Sequence, residues 1–301
     1  MAGAFTQVNL SQLQPPDVIE ALDYEAILAS MLADLQARDP IFTALVESDP
    51  AFKILEVAAY REVLLRQRIN DAAKSVMLAL AVGADLDQIA ANYNVQRLVI
   101  DPGDPVAVPP VQPTMESDVD FRSRILLALE GYTTAGSVGA YQFHALTASG
   151  DVKDVSVANP PLVPGQVNVA ILSRTGNGAA PTGLINTVQT ALSAETVRPL
   201  CDTVIVQSAA IVDYAITAVL TVYPGAGQEA VLAAALQAAQ TYAADMHRMG
   251  RDITRSGVFA ALHQPGVQNV SLTAPAADVV IAWNQAAWCT GINVTVGGIG
   301  E

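Results

Sequence analysis

The apolar positions change their period part-way along the chain. Through the first hundred residues they recur at intervals of three and four. Tyr24, Ile27, Leu28, Met31 and Leu35 fall on one helical face, in a segment opened by Pro15-Pro16-Asp17. Asp39-Pro40 stops it, because the residue before a proline is pushed out of the α region. Ser48-Asp49-Pro50 is a second start signal, a capping side chain with proline just inside the helix. It predicts the longest helix, running to about Val82, with Ala58, Leu65, Ile69, Ala72, Val76 and Leu80 as its apolar stripe. Glu62 and Arg66 are four apart in the favourable order, and Arg68 and Asp71 are three apart. Gly83 is the expected C-cap, and a short helix from Leu86 to Tyr93 completes a helical arm.

Five prolines follow between Asp101 and Pro113 (Pro102, Pro105, Pro109, Pro110 and Pro113) and predict an extended, semi-rigid surface stretch. Beyond it, helix and strand periods mix. Ser117-Asp118 caps a helix that is expected to end at Gly131, and Ser137 to Leu146 is another. Val152 to Val157 and Gln166 to Leu172 read as strands, Thr182 to Leu192 as a helix and Thr203 to Gln207 as a strand. Tyr214, Ile216, Ala218, Leu220 and Val222 alternate along the next strand. Pro224-Gly225-Ala226-Gly227 turns the chain into a helix lined by Leu232, Leu236, Ala239, Ala243 and Met246. Val152-x-Asp154-Val155-Ser156-Val157 with Pro160 matches Val267-x-Asn269-Val270-Ser271-Leu272 with Pro275. Each follows a helix (Ser256 to His263 in the second case) and precedes a glycine-led alternating strand, Gly165 to Leu172 or Gly291 to Val296. The expected class is therefore α+β: an N-terminal helical arm over 1–100, a Pro-rich linker or loop over 101–117, and two related mixed α/β units over 118–210 and 211–301. A ferredoxin-like order is one option for those units.

Charge narrows the partners. The 301 residues carry 15 basic and 29 acidic side chains, net −14, which disfavours nucleic acid, since phosphate affinity comes from cations. The negative surface of a membrane would also repel the chain. The richest apolar run, Val204 to Tyr223, is broken by Gln207, Ser208 and Asp213, so no membrane insertion is expected. Met1 to Thr6 lacks the basic and apolar regions of a secretory signal. Cys201 and Cys289 are too few for a disulfide framework and read as two buried thiols in a reducing compartment.

No catalytic or metal-binding pattern emerges. His144, His247 and His263 show neither HExxH nor zinc spacing, so no cofactor or metal is expected. His144, in Tyr141-Gln142-Phe143-His144 on an apolar helix, reads as a hydrogen-bonded core or interface residue. The competing enzyme reading is a hydrolase with His144 as base beside Tyr141 and Asp154, but no nucleophile accompanies it. His247, among Arg248 and Arg251, and His263 read as helix-end residues, where a cation suits the dipole. Asp85-x-Asp87 lacks the further acids of a calcium loop and reads as a helix cap. Gly136-Ser137-Val138-Gly139 opens a helix; a plain cap is favoured over an anion site. Lys53, Lys74 and Lys153 follow no glycine as a phosphate loop requires, and no serine sits in a Gly-x-Ser-x-Gly elbow. The arginines are more suggestive. Arg61, Arg66 and Arg68 share one helix and Arg122 and Arg124 another. They suit either a solvated face or interface anchors, with anchors slightly favoured.

At these arginine-bearing helices a family resemblance enters. Leu55-Glu56-Val57-Ala58-Ala59-Tyr60-Arg61-Glu62, running into Leu65-Arg66-Gln67-Arg68-Ile69-Asn70-Asp71-Ala72-Ala73 and then Gly83-Ala84-Asp85-Leu86-Asp87, resembles baseplate assembly protein J of contractile-tailed bacteriophages and R-type bacteriocins. Phe121-Arg122-Ser123-Arg124-Ile125, Glu130-Gly131-Tyr132-Thr133-Thr134-Ala135-Gly136-Ser137, Ala140-Tyr141-Gln142-Phe143-His144-Ala145-Leu146 and Arg198-Pro199-Leu200 continue the likeness. It covers essentially the whole chain.

The resemblance implies a structural protein of the baseplate wedge. Its expected partners are a second copy of itself, a smaller baseplate wedge protein, a lysozyme-like wedge protein contacting the sheath, and neighbours in the tail hub. Wedges would join into an inner ring around that hub, in a virion or tail-like particle assembled in the bacterial host cytoplasm. The candidate interface then comprises Arg61, Leu65, Arg66, Arg68 and Ile69 on the long helix, with Arg122, Arg124, Tyr141 and His144. The Pro-rich stretch would be a hinge between arm and body. A monomeric adaptor is the alternative outside this class.

Overall fold

The computed structural model describes residues 10, 13, 14, 16–133, 136–160, 162–225 and 227–300. Of the expectations above, those on Met1 to Thr6, Pro15, Thr134, Ala135 and Ala226 lie outside the described residues. The described residues divide into two compact units, one within 10–96 and 118–122, the other within 97–117 and 123–300.

The first unit is helical. Helix α1 (Tyr24–Arg38) starts where the Asp23 carboxylate accepts from the N–H groups of Glu25 and Ala26. It ends at Asp39, as expected from Pro40. The periodic face is the less exposed one, with Leu28 buried and Ile27, Met31 and Leu35 half-buried. Helix α2 (Pro50–Ser75) has proline in its first turn and packs along α1. It stops seven residues short of the expected Val82. The carbonyls of Leu78 and Ala81 instead accept from Nε and Nη2 of Arg122, both at 2.7 Å. That long-range pairing ties down a turn where the periodicity favours more helix. Gly83 is not a C-cap. With φ +54° it opens helix α3 (Gly83–Ala91), and its N–H donates to the Asp118 carboxylate at 3.1 Å. Asp85 lies in the first turn of α3 without serving as the cap. Ala59, Ala81, Leu86, Ala90, Val95 and Phe121 form the buried interior.

Asn70 is the unexpected member of that interior. Its side chain donates to the Glu20 carbonyl at 2.9 Å and accepts from the Glu20 N–H at 3.1 Å. Both backbone groups of one residue are thereby satisfied by a single amide, which makes burial of that amide tolerable.

The second unit holds the strands. Strands β1 (Val99–Asp101) and β2 (Thr114–Met115) form a short antiparallel ribbon, and an Asp104–Val111 bridge continues it. The Pro-rich stretch is therefore the loop of a hairpin. Helix α4 (Asp118–Leu127) ends before Gly131, and a single 3₁₀ turn covers Glu130–Tyr132. Helix α5 (Val138–Ala148) is capped by Ser137, whose Oγ accepts from the Ala140 N–H.

Strands β3 (Val152–Ala158), β4 (Gln166–Ser173) and β5 (Thr203–Ser208) make one sheet in that order, β3 antiparallel and β5 parallel to the central β4. Helix α6 (Thr182–Leu192) is the crossover that lets β4 and β5 run parallel. Strands β6 (Ala210–Val222), β7 (Val267–Ala274) and β8 (Gln285–Ile299) make the other sheet, with β6 central, β7 antiparallel and β8 parallel to it. Helices α7 (Gln228–Met246) and α8 (Arg255–Leu262) lie between β6 and β7 in sequence. Both sheets thus have a central strand with one antiparallel and one parallel neighbour, reached by different chain orders. With three strands each among the described residues, neither follows the four-strand ferredoxin-like order.

The alternation from Tyr214 to Val222 points into a core with Val231, Ala235, Ala239, Ile253, Val258 and Leu262. Ala235 and Ala239 are fully buried, so small side chains let α7 lie close to its sheet. The other core joins Tyr141, Ala145, Val155, Ile171, Leu184 and Val188. The thiols depart from expectation: Cys201 is exposed in the turn before β5, and Cys289 is half-buried.

One buried ion pair fixes the chain around the ribbon. Arg124 grips Glu116 in bidentate fashion, Nε to Oε1 at 3.1 Å and Nη2 to Oε2 at 2.6 Å, with side chains 2% and 4% exposed. Glu116 Oε2 also accepts from the Leu98 N–H, and its carbonyl from Arg97. Arg124→Ala should lower unfolding free energy by about 3–5 kcal/mol, because it strands a buried carboxylate. Replacing both partners with apolar residues should cost far less. Urea denaturation of the three proteins measures the difference.

Candidate assembly interface

The sequence-derived candidates fall into two groups. Arg61, Leu65, Arg66, Arg68 and Ile69 lie on α2, and all five are exposed. The apolar stripe read from the sequence is real, but it faces solvent. Leu65, Ile69 and Val76 are 64%, 60% and 73% exposed, and Ala58 and Ala72 lie exposed along the same line. The buried side of the helix runs instead through Ala59 and Asn70. A helix turns 100° per residue, so Ile54, Ala58, Arg61, Leu65, Arg68, Ile69, Ala72 and Val76 share one face. The Ala59–Asn70 line lies on the opposite side. Ile54 and Val57, also exposed, extend the apolar surface by a turn. Periodicity carries the signal for them, since 54, 58, 61, 65, 68, 72 and 76 step by three and four.

The charges around this face are ordered. Arg66 Nε and Nη2 donate to Glu62 Oε1 at 2.9 and 2.6 Å, and Nη1 donates to Glu20 Oε2 at 3.1 Å. These bonds to two carboxylates raise the guanidinium pKa further. Arg66 is thus held at the flank by two acids. Arg61 and Arg68 are exposed on the apolar face itself.

The second group is engaged within the fold. Arg122 ties the turn after α2, and Arg124 is sealed against Glu116. The Tyr141 hydroxyl donates to Asp202 at 2.7 Å, and burial, then that carboxylate, pushes its pKa up. His144 Nε2 lies 3.2 Å from the Gly131 carbonyl, and burial pushes its pKa down. Asp154 accepts from the N–H groups of Met249 and Val155. Each of the residues in the enzyme reading therefore bonds elsewhere, and His144, Tyr141 and Asp154 form no catalytic relay.

His247 corrects one expectation. It does end α7, but as a buried residue with Nδ1 2.6 Å from the Ala287 carbonyl and its ring edge-on to Trp288. Burial lowers its pKa, against the bond to the Ala287 carbonyl, which raises it. Among the described residues, no group of three His, Cys, Asp or Glu side chains is placed to hold a metal, and no helix is long and apolar enough to cross a membrane.

Comparison with known proteins bears on the whole chain. Residues 47–104 match the baseplate J-like N-terminal domain, 133–208 the baseplate J-like central domain, and 214–295 the baseplate J-like protein C-terminal domain. Baseplate protein J of Escherichia phage P2 is 49% identical over 301 residues, covering 98% of this chain and 99% of that protein. A chain of the anti-feeding prophage baseplate, solved by cryo-electron microscopy with six-fold symmetrisation, aligns with a TM-score of 0.41 at 12% identity. It covers 61% of this chain and 44% of that one, a likeness too loose to bear on the fold.

The two depressed histidines set a pH dependence. Each binds its proton less readily folded than unfolded, where the value is 6.5. Their contribution to stability should therefore be full above pH 6.5 and fall as the pH drops below it. The raised pKa of Asp154 acts in the opposite sense, favouring the folded state as the pH falls towards 3.8. Urea midpoints should be lower at pH 5.5 than at pH 7.5, and His247→Gln should narrow that gap.

Proposed function

We propose, because the chain belongs to the baseplate J-like family, that it is a structural protein of a contractile-tail baseplate rather than an enzyme. In this reading it sits in the baseplate of a virion or tail-like particle and works by gripping its neighbours. At finer grain, it is a wedge component that pairs with a second copy and with a smaller wedge protein. Pairs of wedges then close an inner ring around the hub, and a lysozyme-like wedge protein links that ring to the sheath. Assembly would take place in the cytoplasm of the bacterial host.

The observation that carries this reading is the exposed apolar face of α2. Burying a Leu, Ile or Val side chain contributes about 1.5–3 kcal/mol. Ile54, Val57, Leu65, Ile69 and Val76 together would make a helix-on-helix contact strongly favourable, which suits a bundle built from several chains. Ala58 and Ala72 on the same face would let a partner helix approach closely. Arg61 and Arg68 rise from that face, where arginine anchors are common in protein interfaces. The acid excess would keep unassembled copies apart until these faces meet.

Two variant pairs test it. Arg66→Glu with Arg68→Glu reverses charge at the flank and on the face. Leu65→Asp with Ile69→Asp makes the face polar. Both sets of side chains are exposed, so unfolding midpoints should change little. Copurification with the coexpressed wedge partner should be lost in both. Copurification at the wild-type level would overturn the α2 interface.

A further inference from the structure

Each three-stranded sheet has two edge strands, and a bare edge offers unpaired N–H and C=O groups to any passing strand. On three of these four edges, side chains occupy one or two of the backbone groups. Along β5, the Gln189 amide donates to the Val204 carbonyl at 2.9 Å and accepts from the Val206 N–H at 2.8 Å, as a neighbouring strand would. On β3, the Val155 N–H donates to Asp154 Oδ1 and the Val155 carbonyl accepts from Gln142 Nε2. Beside β7, the Arg255 guanidinium donates to the carbonyls of Leu272 and Pro275.

Strand β8 differs. Its start is covered: the Gly250 N–H donates to the Gln285 carbonyl at 3.0 Å, and His247 bonds the Ala287 carbonyl. From Ile292 to Ile299, no described side chain and no described strand other than β6 takes its backbone groups. Charge, the other common guard, is missing too. From Val279 to Gly300 there is no Asp, Glu, Lys, Arg or His, nor any proline. Yet the strand is patterned for a two-faced sheet. Val294 is buried and Ile292 and Val296 are half-buried, while Asn293 and Thr295 face outward.

We propose that the edge of β8 left open among the described residues, over Ile292–Ile299, pairs antiparallel with β8 of a second copy, merging two three-stranded sheets into one of six. A two-fold axis between identical strands makes the contact self-complementary. Charge selects the occupant. Copies of a chain with net −14 repel one another over most of their surface, and this uncharged strand is where two copies can meet without like charges opposed. A charged partner segment would find no counter-charge on the strand. The inference deepens the assembly reading and rests on it for its setting, but concerns a surface separate from α2.

The test uses the purified 301-residue chain with Cys201→Ser and Cys289→Ser. Single cysteines are placed in turn at each position from Ile292 to Ile299, with Thr187→Cys at an exposed position of α6 as control. Disulfide-linked dimers should peak at the single position on the axis, fall off on either side of it and be absent for the control, because only a residue at the axis faces its own copy. Asn293→Lys with Thr295→Lys should weaken dimerisation about tenfold or more, by placing like charges across the pair. A chain that stays monomeric, or crosslinks equally at every position, overturns the proposal. If the lysine variant fails to fold, the crosslinking pattern alone decides. The Leu65→Asp/Ile69→Asp variant should keep the crosslinks. Their persistence in a chain that tails can assemble without would remove the baseplate reading and leave the strand pairing standing.

Discussion

Backbone groups that leave water must find partners, and this requirement organises the protein more than any single core contact. A three-stranded sheet satisfies its central strand and leaves two edges open. The chain answers with side chains that imitate peptide groups: Gln189 beside β5, Gln142 and Asp154 at β3, Arg255 beside β7. The same requirement explains why Asn70 can be buried and why Arg122 ends a helix. In each case one polar side chain satisfies two main-chain groups from a distant part of the sequence. Small apolar residues do the complementary work, bringing α7 close to its sheet through Ala235 and Ala239.

Local pattern made much of this legible. Thr182 to Leu192 is a helix with the bounds its periodicity implies, and the alternation from Tyr214 to Val222 is buried at every alternate residue. The Asp39-Pro40 stop and the Ser137 cap are decided within a few residues, and both hold. The misreadings lie where long-range bonds outrank local preference. The end of α2 depends on Arg122, more than forty residues on, and Gly83 opens a helix because Asp118 receives its N–H. His247 has the neighbours of a charged helix end, but its burial under the other strand of the sheet is set by tertiary packing. The edge-covering role of Gln189 leaves no trace in composition or spacing.

The candidate interface was legible in a different way. Its apolar stripe stands out by period, but period alone cannot say whether a face meets the chain's own core or water. Both sides of α2 carry apolar residues, and the sequence gives no priority between them. The structure separates them: Ala59 and Asn70 turn inward, while Leu65 and Ile69 turn outward. The arginines divide along the same line of reasoning. Arg122 and Arg124 are consumed by the fold, and Arg61 and Arg68 stay at the surface.

The Asn70–Glu20 pairing has a consequence for mechanics. Two helices that touch through small and medium apolar side chains can slide past each other by a turn at little cost. A single amide that meets both backbone groups of Glu20, in the segment leading into α1, favours one setting of that segment on α2, since a slip would break both bonds and leave the buried Asn70 amide unsatisfied. Tension applied to the outer face of α2 would therefore travel through a helix whose footing is locked, as in a ratchet held by its pawl.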